Sequence, residues 1–284
     1  MTREGGAQVD DVHRPAAREV ADVSVLLPVH AGVEPEHFAE ALASLGTQTV
    51  TPAEVVVVLD GPLSAAHLEV LDRHPSARRV ALSTNQGAGV ALARGLAECR
   101  STWVARADAD DVNEPDRLER QLALLEASGA DVCSAAMTEF AGSPDHVLGV
   151  RRCPTTHDLV ARQLRTRNPV NHPTAVFRRE AALRAGGYQP LPHLEDYDLW
   201  ARMLRDGARF VGTDVPTVRF RTDGLMERRT SRAALDAERE LQRRLRGYGV
   251  VGPARARVNL VLRGTYLRLP RPLLERVYRL VFRR

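Results

Sequence analysis

Two short, unbroken apolar runs constrain this chain more than any other feature: Val23-Ser24-Val25-Leu26-Leu27-Pro28-Val29 and Val55-Val56-Val57-Val58-Leu59. Continuous runs of this length read as strands covered on both faces, which is how parallel sheets are built. Between them Phe38, Leu42 and Leu45 recur at helical spacing, so the segment forms a β-α-β unit. The alternation then continues. Arg79-Val80-Ala81-Leu82 makes a third strand, Val90, Leu92, Ala93, Leu96 and Ala97 mark a helix, and Trp103-Val104-Ala105 starts the next strand. Leu118, Leu122 and Leu125 give a further helix closed by Gly129, before a strand over Ala130-Asp131-Val132-Cys133-Ser134. The expected fold class is therefore α/β, with a mostly parallel central sheet flanked by helices. In such sheets ligands bind beyond the carboxyl ends of the strands.

At one such end the Trp103 run is followed by Asp108, Asp110 and Asp111. Carboxylates this close repel one another, and a folded site keeps them charged only when a cation compensates. Hard oxygen ligands select Mg²⁺, Mn²⁺ or Ca²⁺, and Mg²⁺-type ions take one or two carboxylates with substrate phosphates completing the shell. The competing reading is a solvated acidic turn. Asp60, which ends a strand before Gly61-Pro62, is either an acceptor for a nucleobase or ribose or a turn residue. Gly87-Ala88-Gly89 before a helix allows close backbone approach to a ligand, yet lacks a Walker lysine and also fits plain turn punctuation. Glu195, Asp196 and Asp198 open a helix, where they serve either as dipole-complementing caps or as a general base. His172 and His193 are candidates for metal or substrate contact and equally for structural roles.

The charge distribution is uneven. From Arg219 to Arg284 there are 18 Arg against 6 Asp and Glu, within a total of only +4, so the front of the chain is acidic and the tail basic. A basic tail meets an anionic surface, membrane or nucleic acid. All of the basic residues are arginine. Cys99, Cys133 and Cys153 have no CxxC spacing and fit a reducing compartment. The N-terminus has no apolar signal region, and no apolar run approaches the ~18–20 residues that span a bilayer. The expected organisation is a disordered tail over 1–20, a catalytic domain over 21–230 and a basic helical extension over 231–284. Within that extension, Leu273, Val277, Leu280 and Val281 fall on one helical stripe beside arginines, a pattern that docks on membrane or packs as core.

Taken in order, these blocks resemble the family 2 glycosyltransferases of GT-A fold, especially the bacterial branch that builds capsular and exopolysaccharides. The likeness runs from Val23 to Thr230. It rests on Val25-Leu26-Leu27-Pro28-Val29, Val58-Leu59-Asp60-Gly61, Asn85-Gln86-Gly87, Ala105-Arg106-Ala107-Asp108-Ala109-Asp110-Asp111 and Pro115-Asp116-Arg117-Leu118. Asn168-Pro169-Val170-Asn171-His172, Gly186-Gly187-Tyr188, Glu195-Asp196-Tyr197-Asp198-Leu199-Trp200 and Arg219-Phe220-Arg221 complete it. The resemblance implies that Pro28, Val29 and Asp60 line the nucleobase and ribose pocket. It makes Asp108 and Asp110 the DxD pair that holds ribose and, through Mn²⁺ or Mg²⁺, the diphosphate, with Asp111 behind them and Arg106 among the donor-binding residues. It gives the catalytic base to the Glu195-Asp196 pair, Asp196 foremost. The chain has Arg94-Gly95 where many relatives have Asn-Gly, and it lacks the QxxRW motif of processive synthases.

The implied activity is inverting transfer of one sugar from a nucleotide-diphosphate sugar, UDP-linked, to a saccharide or lipid-linked acceptor in cell-surface polysaccharide synthesis. The expected place is the cytoplasm, with peripheral contact to the inner face of the cell membrane. Two other classes compete. A sugar nucleotidyltransferase also joins an α/β sheet to acidic metal ligands, but it carries a Gly-rich, basic phosphate loop where this chain has Pro28-Val29-His30-Ala31-Gly32. A non-catalytic nucleic-acid-binding protein would use the Arg-rich tail, but the acidic front repels phosphates and no recognition motif is present.

Overall fold

The computed structural model describes residues 18–223, 232–269, 273, 276 and 277. Strands β1 (Val20–Val29), β2 (Thr51–Leu59), β3 (Arg78–Ala81) and β4 (Trp103–Arg106) alternate with helices α1 (Pro35–Gly46), α2 (Ala65–Asp72) and α3 (Ala88–Glu98), as the apolar periodicity predicts. β1 pairs in parallel with β2 and β4, and β2 with β3. Val23, Val25, Leu26, Leu27, Val56, Val57 and Val58 are all fully buried, because helices cover both faces of these strands.

The second half is mixed. After the two-residue β5 (Val112–Asn113) and helix α4 (Arg117–Ser128), β6 (Val132–Phe140) pairs antiparallel with β7 (Val147–Arg151) and β8 (Val176–Arg178). It also pairs in parallel with the long β9 (Phe210–Arg221). β8 bridges the halves by lying antiparallel to both β4 and β6, giving the order β3-β2-β1-β4-β8-β6-β9-β5. The segment 141–175 holds β7 and helix α5 (His157–Leu164), where the sequence gives loops. β7 is a half-exposed edge strand with little apolar contrast, and α5 is one short amphipathic stretch.

Helices α6 (Arg179–Arg184) and α7 (Glu195–Arg205) follow β8 and precede β9. Beyond β9, α8 (Arg232–Gly247) and α9 (Pro253–Leu267) supply the helical, basic extension. Ala237, Leu241 and Leu245 of α8 are buried in the same apolar cluster as Leu199, Trp200 and Met203 of α7, so α8 completes the core. The tail expected to be disordered lies, up to residue 17, outside the described residues, and β1 begins at Val20. Of the C-terminal stripe, Leu280 and Val281 lie outside them too.

Candidate active site

The acidic turn sits where β4 ends, at the carboxyl edge of the parallel half-sheet. Arg106 closes β4, and its guanidinium, almost fully buried, forms an ion pair with Asp108 at 2.5 Å. Its Nε makes no hydrogen bond. Asp111 is also buried, with Oδ1 accepting the Arg221 N–H at 2.8 Å, while its Oδ2 has no hydrogen-bond partner. Burial, then the charges of Asp108 and Asp110, push the Asp111 carboxyl well above the usual carboxylate range. Arg221 of β9 fixes the turn from outside by donating to the Asp110 carbonyl at 3.0 Å, and it pairs with Glu40 of α1 at 2.7 Å. Crowded, partly unsatisfied carboxylates at an edge fit a divalent cation. Among the described residues no group of three His, Cys, Asp or Glu side chains could hold a metal ion alone.

The second acidic centre opens α7. Glu195 and Asp196 are both buried at its first turn. The Asp196 carboxylate accepts from the Asn168 side-chain amide at 2.6 Å and from the Tyr197 N–H at 2.7 Å. Burial and the neighbouring Asp196 charge push the Glu195 carboxyl up to about 7. His172 reaches Tyr188 Oη through Nε2 at 2.9 Å and lies 3.9 Å from Asp196 through Nδ1. Its imidazole is held neutral, its pKa well below the usual value, by burial and then by the Arg106 charge. Tyr188 feels both acidic centres: burial raises its phenol pKa, Arg106 opposes this, and the charges of Asp196, Glu195 and Asp108 raise it further.

Comparison with known proteins identifies this arrangement. The family model described as "Glycosyl transferase family 2" matches residues 24–187, more than half the chain, which takes in the Asp108-Asp110-Asp111 turn and stops short of α7 and β9. The chain belongs to glycosyltransferase family 2. It is 36% identical over 188 residues to the amylovoran biosynthesis glycosyltransferase AmsE of Erwinia amylovora, covering 65% of this chain and 70% of that one. It is 32% identical to the Escherichia coli UDP-Gal:alpha-D-GlcNAc-diphosphoundecaprenol beta-1,3-galactosyltransferase, covering 65% and 68%. Among solved structures, Staphylococcus aureus TarS 1–349 in complex with UDP-GlcNAc superposes with a TM-score of 0.68 at 19% identity, over 88% of this chain and 76% of that one. That likeness establishes the GT-A fold.

In this family 2 enzyme, Pro28 and Val29 end β1, and Asp60 follows β2 beside them, all at the carboxyl edge. Asp60 is less free than its sequence position indicates. Its two carboxylate oxygens accept the backbone N–H groups of Gln86 at 2.7 Å and Gly87 at 3.0 Å, tying β2 to the start of α3. Gly87-Ala88-Gly89 stands at that same helix start. A Cβ on Gly89 would come within 3.4 Å of the Glu195 Cβ, so the small residue lets α3 approach α7. Asp198 belongs to neither acidic centre. It is fully buried and bound by Arg202 at 2.9 Å, Arg244 at 3.3 Å and the Tyr248 hydroxyl at 2.9 Å. His193 is exposed, in a left-handed backbone conformation just ahead of α7. In the sequence Asn168 and Tyr188 stand out only as parts of motifs. The structure brings both to Glu195 and Asp196, a placement that depends on chain folding across the sheet.

Proposed function

We propose that this glycosyltransferase moves one sugar, with inversion, from a UDP-linked donor to a lipid-linked saccharide in the synthesis of a cell-surface polysaccharide. One observation carries the reading: Asp108 of one carboxylate centre pairs with the buried Arg106, while Asp196 of the other lies 3.9 Å from His172, whose ring is hydrogen-bonded to the Tyr188 hydroxyl, a group that feels the charges of both centres. That division suits a diphosphate held at one side and an acceptor hydroxyl deprotonated at the other. The named activity of the Escherichia coli relative supports a UDP-sugar donor and a diphospholipid acceptor.

Asp108 and Asp110 would hold Mn²⁺ or Mg²⁺, which when bound supplies Lewis-acid stabilisation of the charge on the leaving diphosphate. Pro28, Val29 and Asp60 lie where the base and ribose would rest, and Arg106 keeps positive charge beside Asp108. Asp196 takes the proton as the acceptor O–H bond breaks and that oxygen bonds to the anomeric carbon. The bond from that carbon to the diphosphate oxygen breaks, and its electron pair leaves with the nucleoside diphosphate. Attack from the face opposite the leaving group inverts the anomeric centre.

The test is a thermal-shift and calorimetry series with UDP-galactose, UDP-N-acetylglucosamine and GDP-mannose, each with and without Mn²⁺. A metal-dependent rise with a UDP-sugar is expected, because a ligand bound to the native state stabilises it by RT ln(1 + [L]/Kd). Asp110→Asn should lose the metal dependence together with transfer. Donor binding that stays tight and metal-sensitive in that variant would sink the assignment.

Membrane contact belongs to the same reading. No helix among the described residues is long and apolar enough to cross a membrane. On α9, Val258, Val261 and Leu262 are 46%, 67% and 64% exposed, on a face flanked by Arg255, Arg257 and Arg268 and free of carboxylates. Such a face suits an anionic lipid interface, each cation contributing on the order of 1 kcal/mol. Low-salt co-sedimentation with phosphatidylglycerol vesicles should require residues 253–284. Equal sedimentation of a protein ending at Gly252 would contradict it.

A further inference from the structure

The motif Asn168-Pro169-Val170-Asn171-His172 has no role in the chemistry above, yet it touches the base. Asn168 lies beyond α5, and Pro169 behind it restricts its backbone to extended conformations. Its side-chain Oδ1 accepts the Val170 N–H at 3.1 Å, which fixes which end of the amide is which. The Nδ2 group must then face the other way, where it donates to Asp196 Oδ2 at 2.6 Å. Asp196 Oδ1 accepts the Tyr197 N–H at 2.7 Å, so both oxygens of this carboxylate accept hydrogen bonds. Hydrogen bonds to a charged form favour that form. We propose that Asn168 is a positioning residue of the transfer reaction: its orientation-locked amide holds the Asp196 carboxylate in place and charged, so that Asp196 rather than Glu195 takes the acceptor proton.

The proposal rests on the reading of Asp196 as the base and gives that reading its physical cause. The groups facing the pair come from several elements. Glu195 lies beside Asp196 on α7, His172 acts from the 3-10 turn ahead of β8, Tyr188 from the loop after α6, and Arg106 and Asp108 from the end of β4. None of these supplies what Asn168 does. His172 is neutral and 3.9 Å away. Glu195 is a like charge that works against ionisation of the pair, and its own carboxyl is pushed up to about 7 by burial and by Asp196. One carboxyl of the adjacent pair is thus pushed up by burial, while the other carries two hydrogen bonds from Asn168 and the Tyr197 N–H, and such a difference of environment is the usual basis of an acid and base assignment.

The experiment needs no knowledge of the substrate for its first readout. Protein labelled with ¹³C at the aspartate carboxyls is titrated by NMR, with the Asp196 resonance assigned by its loss in Asp196→Asn. In Asn168→Ala the Asp196 midpoint should rise by about one unit. Asn168→Asp keeps the size of the side chain and points a carboxylate at Asp196, so its shift should be larger. UDP release from UDP-galactose, measured against pH, should show the acid limb of kcat moving the same way, with the donor KM unchanged to within about twofold. Unchanged midpoints in both Asn168 variants, beside an inactive Asp196→Asn, overturn the role of Asn168 alone. Normal turnover in Asp196→Asn overturns the base assignment and this proposal with it.

Discussion

Glu195 is a residue whose position costs the fold stability. Burial first, and the Asp196 charge second, push its carboxyl from the ordinary 4.5 up to about 7. Between those values the folded protein still binds a proton that the unfolded chain has released, so this part of the stability is full on the acid side. It is lost as pH rises through about 7. Each unit of difference corresponds to about 1.4 kcal/mol, an upper figure for a group this close to another charge. Glu195→Gln has no charge to bury. Its melting temperature should exceed that of the parent at pH 8 and match it near pH 4, and a difference independent of pH would contradict the assignment. At this scale the sequence is most readable where chemistry is local. Asp108, Asp110 and Asp111 crowd one another by adjacency alone, so they stand out as a candidate site without a fold. Asn168 is different. Its partner Asp196 lies 28 positions away, and no local pattern marks an asparagine as a donor to a distant carboxylate.

At the scale of elements, α3 shows why one position tolerates only glycine. A Cβ on Gly95 would stand 2.2 Å from Leu26 Cδ1 and 2.6 Å from Val58 Cγ2, both in fully buried side chains. Gly95→Ala gains up to about 1 kcal/mol of helix preference but overpacks a site that cannot give, which typically costs about 1–3 kcal/mol. The expected net effect is destabilisation, read as a lower urea midpoint; an unchanged or raised midpoint would show that α3 can lift off the sheet. Both strands under α3 were legible because they are continuous apolar runs. β9 was not. It spans Phe210–Arg221 with Asp214 and Pro216 inside it, and its pairing with β6 shifts register around Ala135–Met137. Period-2 alternation fails across such an irregularity, so only the closing Arg219-Phe220-Arg221 stood out, and that as a motif rather than a strand. α5 did carry a readable signal: Thr156 accepts the Leu159 N–H at its start, a side-chain cap before an apolar-periodic stretch.

For the whole molecule the question is where the catalytic unit ends. The family match stops at residue 187, and the basic composition after Arg219 reads as an appendage. Packing argues otherwise. Ala234, Ala237, Leu241 and Leu245 recur along one face of α8 and are buried, the last three in the cluster that holds Trp200. Asp198, in the same first turn as the acid pair, depends on the same segment, because Arg244 of α8 and the hydroxyl of Tyr248 just beyond that helix reach its carboxylate. Removing one partner of a buried charge leaves desolvation uncompensated, and a hydrogen bond to a charged group is worth about 1.5–3 kcal/mol. Tyr248→Phe should therefore lower stability to urea by an amount of that order. The larger test is truncation. A protein ending at Asp223 loses the whole α8 face and should melt without a cooperative transition. A protein ending at Gly252 keeps α8 and should still melt cooperatively and bind donor, although it loses contacts of α9 such as the Asn259 amide on the Arg165 carbonyl at 3.0 Å. Cooperative melting of the shorter protein within a few degrees of the full chain would show that α7 holds its acid pair in place without the C-terminal helices.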